Sequence, residues 1–151
     1  MRVVVATETF SPEAVLGRFA AATDGACGAI ASFVGYCRAR SGERRVERIE
    51  LQHYPGFTET EIERLALGVA EKHGVSDIVV VHRVGAIPAG EAIVLVAAAS
   101  AHRAAAFAAV QELMDYLKTD APFWKREVGP AGARWIEPTE EDRARRAEHG
   151  P

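Results

Sequence analysis

The sequence predicts one α+β domain, built on a mostly antiparallel sheet with three main helices. Three observations carry this. The predicted elements run strand-helix-strand-strand-helix-strand-strand-helix and then short strands, without a repeat or a linker. Residues 46–54, VERIELQHY, alternate apolar and polar side chains with a period of two. The length of 151 residues and the hydrophobic fraction of 48% suit a single domain with a real core. Residues 1–138 are read as that domain, and residues 139–151 as a charged, loose tail without a large apolar side chain.

Residues 3–7, VVVAT, form the first strand. Ser11 caps a helix that has Pro12 at its first position and Val15 and Phe19 on one face. That helix should stop near Asp24-Gly25. Residues 27–38 are small but strand-like, and Gly28 and Gly35 predict a bulge or a close backbone approach. A turn at Ser41-Gly42-Glu43 then leads into 46–54, so these two runs are expected to pair as a hairpin.

Thr58 and Glu61 have the spacing of a capping box. Ile62, Leu65, Ala66 and Val69 supply the apolar stripe of the second helix, and Gly74 closes it. Residues 75–85 and 91–100 are two further strands joined by Ile87-Pro88-Ala89-Gly90. Ser100 is expected to cap the third helix, with Phe107, Val110, Met114 and Leu117 on its buried face. Pro122 breaks it, and a short hairpin turns around Gly129-Pro130-Ala131-Gly132.

A net charge of −3 argues against a general nucleic-acid binder. The longest apolar run, AIVLVAAASA, is too short to span a membrane, and the N-terminus lacks the pattern of a signal peptide. The cytoplasm is the expected location. Cys27 and Cys37 lie in one strand-like run, about 33 Å apart if extended, and are read as reduced, packed thiols. No zinc spacing and no P-loop, GxGxxG, GxSxG or HExxH pattern occurs.

Positive charge collects at predicted element ends: Arg38 and Arg40, His102 and Arg103, Lys118, and Lys125 with Arg126. Cations in the first turn of a helix oppose its dipole, so His102 and Arg103 make sense around an anion. The competing reading points both to solvent. Lys118 either complements a helix C-terminus or, with Lys125, forms a pair of amines in a partly dry place. There a lowered pKa would allow acid–base or nucleophilic work. Both readings stand on the residues alone. His53 and His82 are read as structural histidines, and Tyr54 and Trp135 as packing residues.

The strings FVGYCR (33–38), LQHYPGF (51–57), VHRVGAIPAGE (81–91), SAHRAAAF (100–107) and MDYLKTDAPFWKRE (114–127) resemble the large, catalytic subunit of molybdopterin synthase. The resemblance covers residues 3–137 in the family's order. It implies the family's α/β-hammerhead fold. It also implies sulfur transfer from the C-terminal Gly-Gly thiocarboxylate of a small ubiquitin-like subunit to cyclic pyranopterin monophosphate (precursor Z), which forms the dithiolene of molybdopterin. Two sulfurs are added in succession and the cyclic phosphate opens.

The resemblance further implies a homodimer of large subunits within a heterotetramer, with no cofactor or metal of the subunit's own. Carried over by position, Lys118 and Lys125 are the catalytic residues, and Arg38, His102, Arg103 and Arg126 bind substrate. Cys37 departs from the family pattern. The alternative is a non-catalytic scaffold that holds a pterin or phosphate for a ubiquitin-like partner. Such a scaffold needs the Arg/His site but not Lys118.

Overall fold

Two four-stranded sheets contribute to one main core in the computed structural model, which describes residues 1–151. The first sheet contains β1 (Arg2–Ala6), β6 (Asp77–Arg83), β8 (Ala92–Ser100) and β2 (Ala29–Tyr36), in that order. Only the β1–β6 pairing is parallel. The second sheet is antiparallel, in the order β10 (Gly132–Ile136), β9 (Phe123–Gly129), β5 (Arg48–His53) and β7 (Gly85–Pro88). A small hairpin, β3 (Arg40–Ser41) with β4 (Arg44–Arg45), turns at Gly42.

The first sheet is covered on both faces. Helix α1 (Pro12–Ala21) packs Phe19 against Val79, Val81, Leu95 and Ala97. Helices α2 (Phe57–His73) and α3 (Arg103–Thr119) cover the other face, where the main core also takes in Ile49, Leu51 and Ile87 of the second sheet. This arrangement corrects the expected hairpin of 27–38 with 46–54. A strand between two helix layers must be apolar on both sides, as β8 is along its whole length. The small residues of β2 pair with β8, from Ala29↔Ser100 to Tyr36↔Ala92. Strand β5 has one polar face and takes its place in the second sheet.

The two expected strands 75–85 and 91–100 do pair, as β6 and β8. Between them the chain leaves the first sheet as β7 and pairs with β5. The glycine expectations also hold. A Cβ at Gly28 would collide with the Ala101 carbonyl, and the β2–β8 register shifts between Gly35 and Tyr36.

Three helix boundaries differ from expectation. Helix α1 ends at Ala21, short of Asp24, whose carboxylate instead accepts from Ala26 N–H in the following turn. The N-cap of α2 is Gly56, whose N–H donates to the Glu59 carboxylate at 2.6 Å. Thr58 is buried inside the helix. It accepts from Tyr54 N–H at 2.9 Å and donates to Pro122 O at 3.3 Å, which ties α2 to the start of β9. The N-cap of α3 is His102, because Ser100 is still paired within β8.

Phe107 is not on the buried face of α3; it is 65% exposed. Ala106, Ala109, Val110, Leu113 and Leu117 form that face, and the alanines let α3 lie close to β8 and β2. The charged C-terminal segment is also not loose chain. It folds as α4 (Glu140–Glu148), capped by Thr139 and held on α3 by Arg146–Asp120 at 2.8 Å and His149–Asp115 at 2.7 Å. The molecule thus has four helices where three main ones were expected. None is long and apolar enough to cross a membrane.

Candidate active site

Helix α3 stops because the chain turns tightly through Asp120 to Pro122. Asp120 N–H and Ala121 N–H both donate to Tyr116 O, at 2.7 and 3.1 Å. Phe123 then begins β9, so the Phe-Trp pair belongs to a strand and not to the turn. In β9 the side chains alternate. Phe123, Lys125 and Glu127 point inward beside Leu51 and Ile49, while Trp124 and Arg126 point outward. Inward placement buries most of the Lys125 side chain. Lys118, in the last turn of α3, stays exposed.

The third cation comes from the end of β2. Cys37, 1% exposed, is clamped by its N–H donating to Glu91 O at 2.9 Å and by Gly90 N–H donating to Cys37 O at 2.7 Å. This clamp fixes where Arg38 leaves the sheet. Burial pushes the Lys125 ammonium pKa down, and the positive charges of Lys118 and Arg38 push it further the same way. Glu127 and Cys37 oppose that shift. Lys118, Lys125 and Arg38 are therefore gathered at one end of the molecule, around an amine biased towards its neutral form.

His82 completes this corner. It lies on the inner face of β6 in line with Ile78 and Val80, and its ring stacks on Phe123 at 4.1 Å and 22°. Its Nδ1–H donates to Arg83 O at 3.0 Å, and burial pushes its pKa down to about 4. The sequence reading of His82 as a structural histidine in a strand did not show that Phe123 would meet it. Glu127 and Cys37 were likewise not expected here.

The other three expected residues lie elsewhere. Arg126 faces outward, donates to Glu50 at 2.7 Å and sits 5.7 Å from the centre of the Trp135 ring. It braces the outer face of the second sheet, on the opposite side of β9 from Lys125. His102 and Arg103 are exposed at the opposite end of α3. Arg103 is fifteen residues of helix from Lys118, about 22 Å at about 1.5 Å per residue. The β2–β8 register puts Arg38 at the far end from them as well. One copy of the chain therefore does not unite the His102–Arg103 pair with Lys118, Lys125 and Arg38.

Phe123 is the inner aromatic wall of the site. Trp124 is 42% exposed on the outer side, packed edge-on against Tyr54 with ring centres 4.6 Å apart. A groove of about 540 Å³ leads along β9 and β10 to Lys125, between Trp124, Trp135, Ile136 and Arg143. The arrangement offers a half-buried amine whose ammonium form is disfavoured, and neighbouring cations able to hold an anion.

A family model described as MoaE protein matches residues 5–120. The molybdopterin synthase catalytic subunit of Caulobacter vibrioides is 48% identical over 143 residues, covering 95% of this chain and 93% of that protein. The solved MoaE molybdopterin biosynthesis protein of Burkholderia ambifaria has a TM-score of 0.80 at 38% identity, covering 99% of this chain and 97% of that one. A chain from the protein–protein complex of subunits 1 and 2 of the Helicobacter pylori molybdopterin-converting factor shares the fold, with a TM-score of 0.73 at 19% identity over 91% and 90% of the two chains. By sequence and by fold, this chain belongs to the MoaE protein family.

Proposed function

We propose that this chain is the catalytic subunit of a molybdopterin synthase, a sulfurtransferase of molybdenum cofactor biosynthesis. It moves sulfur from the C-terminal thiocarboxylate of a small ubiquitin-like subunit to cyclic pyranopterin monophosphate. The observation that carries this reading is the inward-facing, half-buried Lys125 amine beside Lys118 and Arg38. A scaffold that only bound a phosphate would gain from every cation being exposed and charged. It would have no use for an ammonium held in a place that favours its loss of a proton.

The roles follow from the surroundings. Lys125 takes and returns the proton that moves as the carbon–sulfur bond forms. Lys118 stands at the reacting carbons and stabilises developing negative charge. Arg38 holds the phosphate with a planar, always-charged guanidinium. The groove along β9 and β10 receives the extended Gly-Gly end of the small subunit. Glycines suit such a channel because they carry no side chain.

The separation of His102 and Arg103 from Lys118 fits a homodimer in which a second copy supplies that pair. Phe33 and Tyr36 on the edge strand β2, 43% and 51% exposed, and Phe107 on α3 provide apolar surface for such a contact. Mixing two inactive variants tests this. Lys118→Ala and Arg103→Ala, combined and allowed to exchange subunits, should recover part of the activity, because half of the mixed dimers' sites would be intact. No recovery after proven exchange would place Arg103 in its own chain's site or in none.

A further inference from the structure

Arg83 ends β6 on the α1 face, in line with Val79 and Val81, and is only 8% exposed. A charge buried this far has to be paired. Its Nη1 donates to the Thr9 hydroxyl at 2.8 Å and pairs with the Glu91 carboxylate, and its Nη2 donates to Ala86 O at 3.3 Å. Its Nε is buried without a partner. The Thr9 hydroxyl donates in turn to Glu91 at 3.1 Å, so both donors meet one carboxylate oxygen, Oε2. As a stabilising device this gains little, because well-packed apolar side chains serve a core as well as a buried ion pair or better. What the arrangement does is fix a position.

The position fixed is that of residue 91, whose backbone clamps the end of β2. Cys37 N–H donates to Glu91 O at 2.9 Å and Gly90 N–H donates to Cys37 O at 2.7 Å. Arg38 is the next residue. The regular β2–β8 ladder has already slipped between Gly35 and Tyr36, so the exit of the chain towards Arg38 depends on this clamp. Ala89 to Glu91 lie between the end of β7 and the start of β8. Ala89 N–H holds them on one side by donating to Glu47 O at 2.9 Å. On the side of the first sheet they are held by the Glu91 side chain, through Arg83 and Thr9. Arg83 is itself rooted in that sheet, opposite Ala6 in the β1–β6 register.

We propose that Arg83 and Glu91 are positioning residues for Arg38. The ion pair braces the turn that clamps Cys37, and the clamp sets the Arg38 guanidinium where it meets the substrate phosphate. Both residues act through the backbone of the clamp. The proposal rests on the sulfur-transfer reading for the identity of the phosphate, and the brace itself is tested without it.

Glu91→Ala removes the brace. Glu91→Gln keeps an oxygen that accepts from both Arg83 and Thr9. Backbone amide exchange, read by NMR in the intact chain, needs no turnover. The Cys37 and Gly90 amides should exchange about tenfold faster in Glu91→Ala and within about twofold of wild type in Glu91→Gln. In turnover with the small subunit, Glu91→Ala should raise the KM for cyclic pyranopterin monophosphate about fivefold, leave kcat within about twofold, and add nothing in an Arg38→Ala background. A merely structural loss would lower kcat through the folded fraction and leave KM alone. Thr9→Val removes only the exposed donor and keeps the Arg83 pair, so it decides the matter if Glu91→Ala does not fold; both readouts should then move the same way by a smaller factor. Unchanged exchange at both amides, or a KM effect that persists in full over Arg38→Ala, would overturn the proposal. Exchange as expected in chains that transfer no sulfur, wild type included, would uphold the brace and refute the sulfurtransferase reading alone.

Discussion

Lowering the pH from 7 to 5 should destabilise this protein through His82. In the fold the imidazole is 7% exposed and its pKa is pushed down to about 4 by burial. In the unfolded chain it returns to about 6.5. Between these values the unfolded state binds the proton and the folded state does not. The native contribution is intact above the unfolded value and falls away as pH drops towards the folded one. At pH 5 the difference in proton binding amounts to about 2 kcal/mol, and below pH 4 it approaches about 3 kcal/mol.

Urea unfolding of wild type and His82→Phe at both pH values isolates this effect. Phenylalanine retains the ring against Phe123 and cannot titrate, and every other group is common to both chains. Wild type should lose about 2 kcal/mol more than the variant between pH 7 and pH 5. Equal losses would show that His82 is not buried as a neutral ring. Glu112 does not intrude, because its window lies lower. Burial would raise its pKa, but hydrogen bonds from Lys72, Tyr116 and His73 outweigh that and hold it down at about 2.

Other outcomes follow from the same contacts. Glu112→Gln leaves Lys72, His73 and His149 without the buried carboxylate that joins α2, α3 and the C-terminal segment. It should cost about 2–3 kcal/mol in urea unfolding, below the usual range for a broken buried pair because Lys72 is half-exposed. Its turnover, measured below the unfolding transition, should stay within twofold of wild type. Arg126→Ala should leave kcat and the substrate KM within about twofold, since that guanidinium serves Glu50 and Trp135. Arg38→Ala should raise the KM for the phosphate substrate by about tenfold or more, the loss of one charge-assisted contact.

Much of the fold was legible because the local rules were sharp. Ser11-Pro12 began α1, Gly74 ended α2 in the left-handed conformation, and Gly28 marked a close backbone approach. The failures came where a residue had two partners to choose from. Thr58 bonds to Pro122, far along the chain, rather than capping its helix. Phe107 lies one position off a stripe that is mostly alanine, so size misled where spacing did not. Strands β2 and β5 are neighbours in sequence, but whether they pair depends on helices that cover one sheet and leave the other half open.

The site was legible as a set of cations and not as an arrangement. The family resemblance singles out Lys118 and Lys125 as a catalytic pair and Arg126 as a substrate-binding residue, and strand alternation places Arg126 on the opposite face from Lys125. The distance between His102 and Lys118 follows from helix length alone.

The most direct test is a single-turnover reaction of the chain with a thiocarboxylated small subunit and cyclic pyranopterin monophosphate, with Lys118→Ala run beside it. The product is read by mass spectrometry as a dithiolene that has gained two sulfurs, and each protein's unfolding midpoint is measured in parallel. The account predicts product from the wild type, none from Lys118→Ala, and matching midpoints, because Lys118 is an exposed side chain at a helix end. Normal turnover by Lys118→Ala, or a stable complex with the small subunit that yields no product in the wild type, would contradict it.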